Sequence, residues 1–367
     1  MFTTKDQDVV IRFSPKYELL TSFYILILPD DYSRLSKSIW SNEIGQWRKE
    51  AKERLGKEKL DVISDIIPIS YPSMEWRLCL LLKDCENVPE IDAMSQHIND
   101  MSDFYLLNLL FDVSALMIER IRSHSYGMQL YEKTYGKDVA WCIENWVLNT
   151  KRCRDSLVTT LREYWTLEFA GYYFRIVAPQ LTERGRKQIE DIDSVGLRRM
   201  ENLLGLVGTF RNIIFSPTFF LKMSVMSIEE KEGTVIICPS EWNGESFIWA
   251  VIYEILSSSL DKIIVHTSET RVISYLDDLK RDKDVFQEYV ALEDCIKLSW
   301  GWKGWVAHWF KEAYIKYACV KAGLAKLESI KDSTRTSLEK KLLNSMMLSC
   351  KDRLDPTQCF FELVANA

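Results

Sequence analysis

Hydrophobic and polar positions alternate over Val9-Val10-Ile11-Arg12-Phe13, the period of an extended strand or arm. Ser14 and Pro15 come next, one suited to cap a helix and the other to begin its first turn. From Tyr17 to Leu28 nearly every face is apolar, which predicts a buried helix. The stretch from about Leu35 to Leu55 has the clearest one-sided pattern. Trp40, Ile44, Trp47, Ala51 and Leu55 recur at helical steps, while Lys49, Lys52, Glu53 and Arg54 face away. Leu60, Ile63 and Ile67 extend the stripe until Pro68 and Pro72 stop it.

Helical periodicity resumes over Met74–Leu82 and Phe104–Ile121 and continues through Val139–Ala178, where Trp141, Trp146 and Trp165 predict an aromatic-filled core. A further helix is expected from Arg186 to Ile214, ended at Ser216-Pro217. The period then shortens. Phe219–Met226 and Thr234–Cys238 read as two strands of a hairpin, its charged turn running from Glu229 to Gly233. A helix through Trp249, Ile252, Tyr253 and Leu256 follows. Lys262–His266 is either a strand or the end of that helix. Helix is expected again over Val272–Leu279, near Val285, and from Trp305 onward, broken by Gly323 and stopped at Pro356. The pattern predicts a mainly α, two-lobe helical protein with a small central β hairpin, with residues 1–215 as a helical N-terminal domain. Residues 216–367 form an α+β or helical C-terminal domain, with room for a divergent winged-helix-like lobe.

Composition supports helices: in 367 residues there are only 14 glycines and 9 prolines. The longest run without a charged residue, Leu19–Pro29, is too short for the roughly 20 residues a spanning helix needs, so no membrane partner is expected. Asp6 and Asp8 stand where a secretory signal wants positive charge, and a cytoplasmic location is expected. Nine cysteines without framework spacing are expected to be reduced, small apolar core residues. A net charge of −6 supplies no global attraction to nucleic acid, although Lys321–Arg353 carries eight basic residues against four acidic ones.

The common chemical motifs are missing. There is no phosphate loop, no Gly-x-Gly-x-x-Gly, no Cys-x-x-Cys and no His-Glu-x-x-His, and no Gly-x-Ser-x-Gly elbow. The four histidines (97, 124, 266, 308) are far apart, so no metal and no cofactor is expected. Three segments stand out. In Ile237-Cys238-Pro239-Ser240-Glu241-Trp242, a strand running into a helix could present Cys238 or Ser240 as a nucleophile, with His266 on a neighbouring strand. The alternative is a buried Cys238 and a Ser240 that caps the helix. Trp300, Trp302, Trp305, His308 and Trp309 could line a pocket for a flat or cationic ligand, with His308 or Glu312 as polar contact, or could fill a seam with large side chains. The third segment, Leu324–Leu342, has the rhythm of a helix-turn-helix. Lys331, Ser333, Thr334, Arg335, Lys340 and Lys341 are its candidate DNA contacts, while Arg335 and Glu339 stand where that motif buries apolar side chains.

The opening string VVIRFSPKYELLTSFYIL resembles the start of bacterial ArsR-type transcriptional regulators that carry a long helical N-terminal domain before a winged helix. The resemblance extends to the tryptophan helix (Trp40 or Trp47), to WTLEFAGYYFRIVAPQL (Trp165–Leu181), and to LLGLVGTFRNIIFSPTFF followed by GTVIICPS. It covers about residues 9–260. Beyond that, Tyr253–Ile264 lacks the Asp-x-x-Arg signature of the winged domain. The resemblance implies a non-catalytic regulator- or sensor-like binding protein whose DNA-binding part has diverged or been lost. The aromatic N-terminal lobe would recognise a ligand or protein partner, and the C-terminal lobe would transmit that event or form a homodimer. Two rivals are an enzyme built on Cys238–Ser240 and a sequence-specific DNA-binding regulator.

Overall fold

The structure is a computed structural model describing residues 2–3, 9–29, 42–71, 73–85, 91–123, 127–195, 213–220, 226–241, 253, 256, 260–292, 294–321, 333–350 and 355–366. It is mainly helical with one small sheet, as the periodicity predicts. The chain groups into two units. One holds Met1–Phe2, Val10–Arg186 and Ile214–Trp242; the other holds Thr3–Val9, Lys187–Ile213 and Asn243–Ala367.

In the first unit, α1 (Pro15–Ile27) is buried along its whole length, with Ser14 at its N-cap and Pro15 in its first turn. A helix buried on all sides must satisfy its polar groups internally. Lys16 Nζ accordingly donates to Glu230 Oε1 at 2.6 Å and to the Cys85 carbonyl at 2.9 Å, and the Tyr17 hydroxyl donates to the same Glu230 oxygen. Glu18 Oε1 accepts from the Phe219 backbone N–H. At the other end Arg48 Nε donates to Ile25 O and Lys52 Nζ to Leu28 O, so cations meet the unsatisfied carbonyls of the last turn.

Those cations come from α2 (Asn42–Leu55), whose Ile44, Trp47, Ala51 and Leu55 are buried as the stripe predicts. Trp40 lies outside the described residues. The stripe is two helices rather than one, because Gly56 takes φ +87° and restarts the chain as α3 (Lys57–Ser64). Then come α4 (Met74–Leu80), α5 (Ile91–Asp100), α6 (Asp103–Phe111), α7 (Ala115–Arg122), α8 (Gly127–Tyr135) and α9 (Lys137–Leu148). Trp146 on α9 is enclosed and donates to Ile66 O, and Trp165 is also buried. Trp141 is not a core residue. It is 50% exposed, because the face of α9 that packs inward carries Val139, Cys142, Ile143 and Trp146 instead. Next, α10 (Thr150–Tyr164) passes through a π-helical turn (Trp165–Phe169), three α residues and a second π turn (Tyr173–Val177) into α11 (Ala178–Val195).

The sheet has the order β1-β2-β3-β5-β4, with β1 Phe2–Thr3, β2 Val9–Ile11, β3 Ile213–Thr218, β4 Met226–Glu230 and β5 Gly233–Pro239. Residues 213–214 were expected to close a helix. They are instead extended, and the backbone N–H of Arg12 bonds to Phe215 O, so a run of β-branched and aromatic residues joins the N-terminal arm. The hairpin turn lies where the charges put it, with Glu230 opposite Gly233 and Gly233 at φ +139°. Its first strand is Met226–Glu230 rather than Phe219–Met226.

In the second unit, residues 260–264 are helical, so Lys262–His266 is a helix end and not a strand. α12 (Thr270–Arg281), α13 (Lys283–Val290), α14 (Asp294–Lys321), α15 (Ser337–Ser349) and α16 (Pro356–Ala365) follow. No strand occurs among the described residues of 260–366. The buried Glu339 of α15 is met by Lys316 of α14, and its second oxygen accepts from the Arg335 N–H at 2.6 Å. Cys350 and Cys359 form a disulfide between the end of α15 and α16, with Cα atoms 5.5 Å apart. The expectation of reduced thiols fails for this pair, whose Cα separation lies within the range a disulfide spans. Among the described residues, no helix is long and apolar enough to cross a membrane.

Candidate functional site

The tryptophan-rich segment forms the middle of α14. Gly301, at φ +61° and ψ −177°, puts a kink between Trp300 and Trp302. This conformation is easy for glycine and strained for other residues. It turns the following stretch so that Trp302 and Trp305 pack against each other (ring centroids 5.4 Å) and against Tyr289. The Trp302 indole N–H donates to Leu276 O at 3.0 Å, and Trp305 is 2% exposed. These two rings are interior packing of the second unit. The Trp300 side chain lies outside the described residues.

One turn further on, the chemistry changes. His308 Nδ1 lies 2.6 Å from the Tyr253 hydroxyl, a pair 55 residues apart in sequence. Lys311 Nζ sits 4.8 Å from the centre of the Tyr253 ring and 3.2 Å from Asp261 Oδ1. The Lys311 side chain is nearly enclosed and the Asp261 carboxylate is half open. Burial, with Lys311 and then Arg335 adding positive potential, pushes the His308 imidazole down to about 4. At neutral pH the ring is therefore uncharged, and which of Nδ1 and the Tyr253 hydroxyl donates follows from the ring tautomer. Trp309, whose ring is 4.8 Å from that of His308, has its indole N–H shut away from solvent with no acceptor. Such a group costs about 1–3 kcal/mol until something accepts from it.

The candidate DNA contacts lie at the head of α15. Thr336 caps this helix by accepting from Glu339 N. Ser333, Arg335, Lys340 and Lys341 are exposed and Thr334 is half-buried. Lys341 pairs with Asp282 at 2.7 Å, and the Ser333 carbonyl accepts from Lys316. Glu339 occupies the apolar position of a helix-turn-helix and is buried as an ion pair. Lys331 is outside the described residues.

In the first unit Cys238 is fully enclosed in β5. Ser240 is 2% exposed, with its Oγ accepting from Arg184 at 2.7 Å and its N–H donating to Thr218 O. His266 belongs to the second unit. Trp47 has a second buried indole N–H without an acceptor, among the rings of Tyr164, Tyr172 and Phe220. Among the described residues, no group of three or more His, Cys, Asp or Glu side chains is arranged to hold a metal ion.

Sequence reasoning found His308 and Trp309 but not Tyr253, Asp261 or Lys311. Only the His308–Lys311 spacing, one helical turn, was there to be read. Compared with protein-family models, curated proteins and solved structures, the chain matches none.

Proposed function

We propose that this protein is a non-catalytic, sensor-like binding protein, similar in organisation to ArsR-type regulators whose DNA-binding part has diverged. Recognition is assigned to the His308–Trp309 turn of α14, with Tyr253 and Lys311. The observation that carries the reading is the Trp309 indole N–H, enclosed, without an acceptor and beside an oriented Tyr253–His308 pair. A polar donor left unsatisfied within aromatic walls is stabilised by a ligand that supplies the acceptor. Cys238 and Ser240 support the same side. An enclosed thiol and a hydroxyl oxygen held by a guanidinium are poor nucleophiles. The helical, strand-free course of residues 260–366 among those described supports a diverged DNA-binding part.

Thermal unfolding with a matched set of flat aromatic probes tests this: indole, indole-3-acetate and tryptamine. At least one raises the melting temperature of the wild type and does not raise that of Trp309→Phe. If no member of the set discriminates between the two proteins, the reading fails.

A further inference from the structure

We infer that the corner between α9 and α10 binds a phosphate group. The site lies within the first unit and does not rest on the reading of the His308–Trp309 turn. A cleft of about 770 Å³ opens where the start of α6, the last residue of α7, the end of α9 and the start of α10 come together. Arg122, Lys151 and Arg152 line it. All three are exposed, and none of their side chains makes a hydrogen bond or ion pair among the described residues. Two carboxylates line it as well. Asp103 is answered by Arg154 at 2.8 Å, whereas Asp155 is exposed and has no cation against it. Three positive charges less the one free carboxylate leave a surplus of two. That surplus matches the near-double charge of a phosphate at neutral pH better than the single charge of a carboxylate. Two of the three cations are arginines, whose planar forks meet phosphate oxygens in pairs.

The backbone at this corner points the same way. Asn145 O accepts from the Asn149 N–H and Trp146 O from the Thr150 hydroxyl, each at 2.8 Å, so these closing carbonyls of α9 are answered. The donors at the head of α10 are not met in this way. Asn149 holds the cap position, but its amide donates to Asn145 Oδ1 at 3.1 Å, and it accepts nothing from the first turn. The N-terminal end of this 15-residue helix therefore adds partial positive charge beside Lys151 and Arg152, which belong to that turn. Leu148, 46% exposed, supplies an apolar wall next to the charges, where an organic carrier of the phosphate could rest.

Isothermal titration calorimetry of the whole chain tests the inference. Inorganic phosphate and phenyl phosphate are the separate probes, and sodium acetate at matched ionic strength is the singly charged control. The expected result is saturable binding of at least one phosphate probe and none of acetate. Tighter binding of phenyl phosphate assigns the site to a phosphate with an organic carrier, and equal or weaker binding assigns it to free phosphate. Arg122→Gln combined with Arg152→Gln, both exposed, should weaken binding about tenfold or more, the scale of a lost charge-assisted hydrogen bond. Asp155→Asn should tighten it about twofold by removing the opposing exposed charge. Lys49→Gln, which removes one exposed charge from α2, should leave it unchanged. The inference is overturned if neither phosphate probe gives saturable heat, or if acetate binds as tightly as phosphate. It is overturned equally if the double arginine variant binds like the wild type, or if Lys49→Gln weakens binding as much as that variant does.

Discussion

Acid should weaken the second unit through one imidazole. His308 is held at about 4 against an ordinary value of 6.5, chiefly because burial penalises its charged form and secondarily because Lys311 and Arg335 repel it. The folded state thus prefers neutral His308, while the unfolded chain takes up the proton from pH 6.5 downward. Stability from this group is complete above pH 6.5, falls as pH drops towards 4, and levels off below that. Linking the two values gives a loss of about 2 kcal/mol between pH 7 and pH 5, reaching about 3 kcal/mol at pH 4. His308→Asn removes the titration while keeping a hydrogen-bonding group for the Tyr253 hydroxyl, which lies 2.6 Å from His308 Nδ1. Urea unfolding of both proteins at pH 7 and pH 5 isolates the effect, because every other titrating group is common to the two. The wild type should lose about 2 kcal/mol more than the variant over that interval. Equal losses would refute the reasoning.

Glu339→Ala leaves Lys316 charged and enclosed, so it should cost about 3–5 kcal/mol, whereas Lys316→Met with Glu339→Leu should recover most of that in the same urea titration. Thiol titration of the unfolded, unreduced chain should count seven of the nine cysteines, nine less the bonded two. Replacing Cys350 and Cys359 by Ala should cost roughly 3 kcal/mol for a sequence separation of nine, read as a lower urea midpoint. Duplex DNA should give no retarded complex even in low salt. A salt-steep complex that weakens when Arg335, Lys340 and Lys341 become Ala would restore the DNA-binding reading.

Local signals were the readable ones. Ser14-Pro15 marks the start of α1, the Ile44–Leu55 stripe marks α2, and Gly233 marks the hairpin turn; each depends on residues a few positions apart. Errors came where a partner distant in sequence decides the outcome. Residues 213–215 join a sheet because Arg12, some two hundred positions earlier, supplies a backbone bond. Trp141 stays half exposed because the rotation of α9 is set by what packs against Trp146. The candidate site divides in the same way. His308 and Trp309 are neighbours on one helix, but Tyr253 and Asp261 reach them only through the fold, and no spacing rule links a tyrosine to a histidine 55 residues later. The enclosed pair of Lys316 and Glu339 had no signature beyond a charge at a position suited to an apolar residue.

The two wide turns at Trp165–Phe169 and Tyr173–Val177 have a consequence for how this chain can change in length. Each accommodates one surplus residue inside a single wide turn, so the helix beyond it keeps the azimuth it would have if that residue were absent. The azimuth at which α11 presents the buried Leu181 is therefore preserved across both turns. Deleting a single residue from either turn would tighten it to ordinary pitch and leave α11 facing as it does, whereas deleting one from the regular turns of α10 would swing the 18 residues of α11 by roughly 100° about their own axis and turn the buried Leu181 away from the core. A segment that looks like a continuous rod thus holds two places where its residue count can change by one, like slack links in a chain.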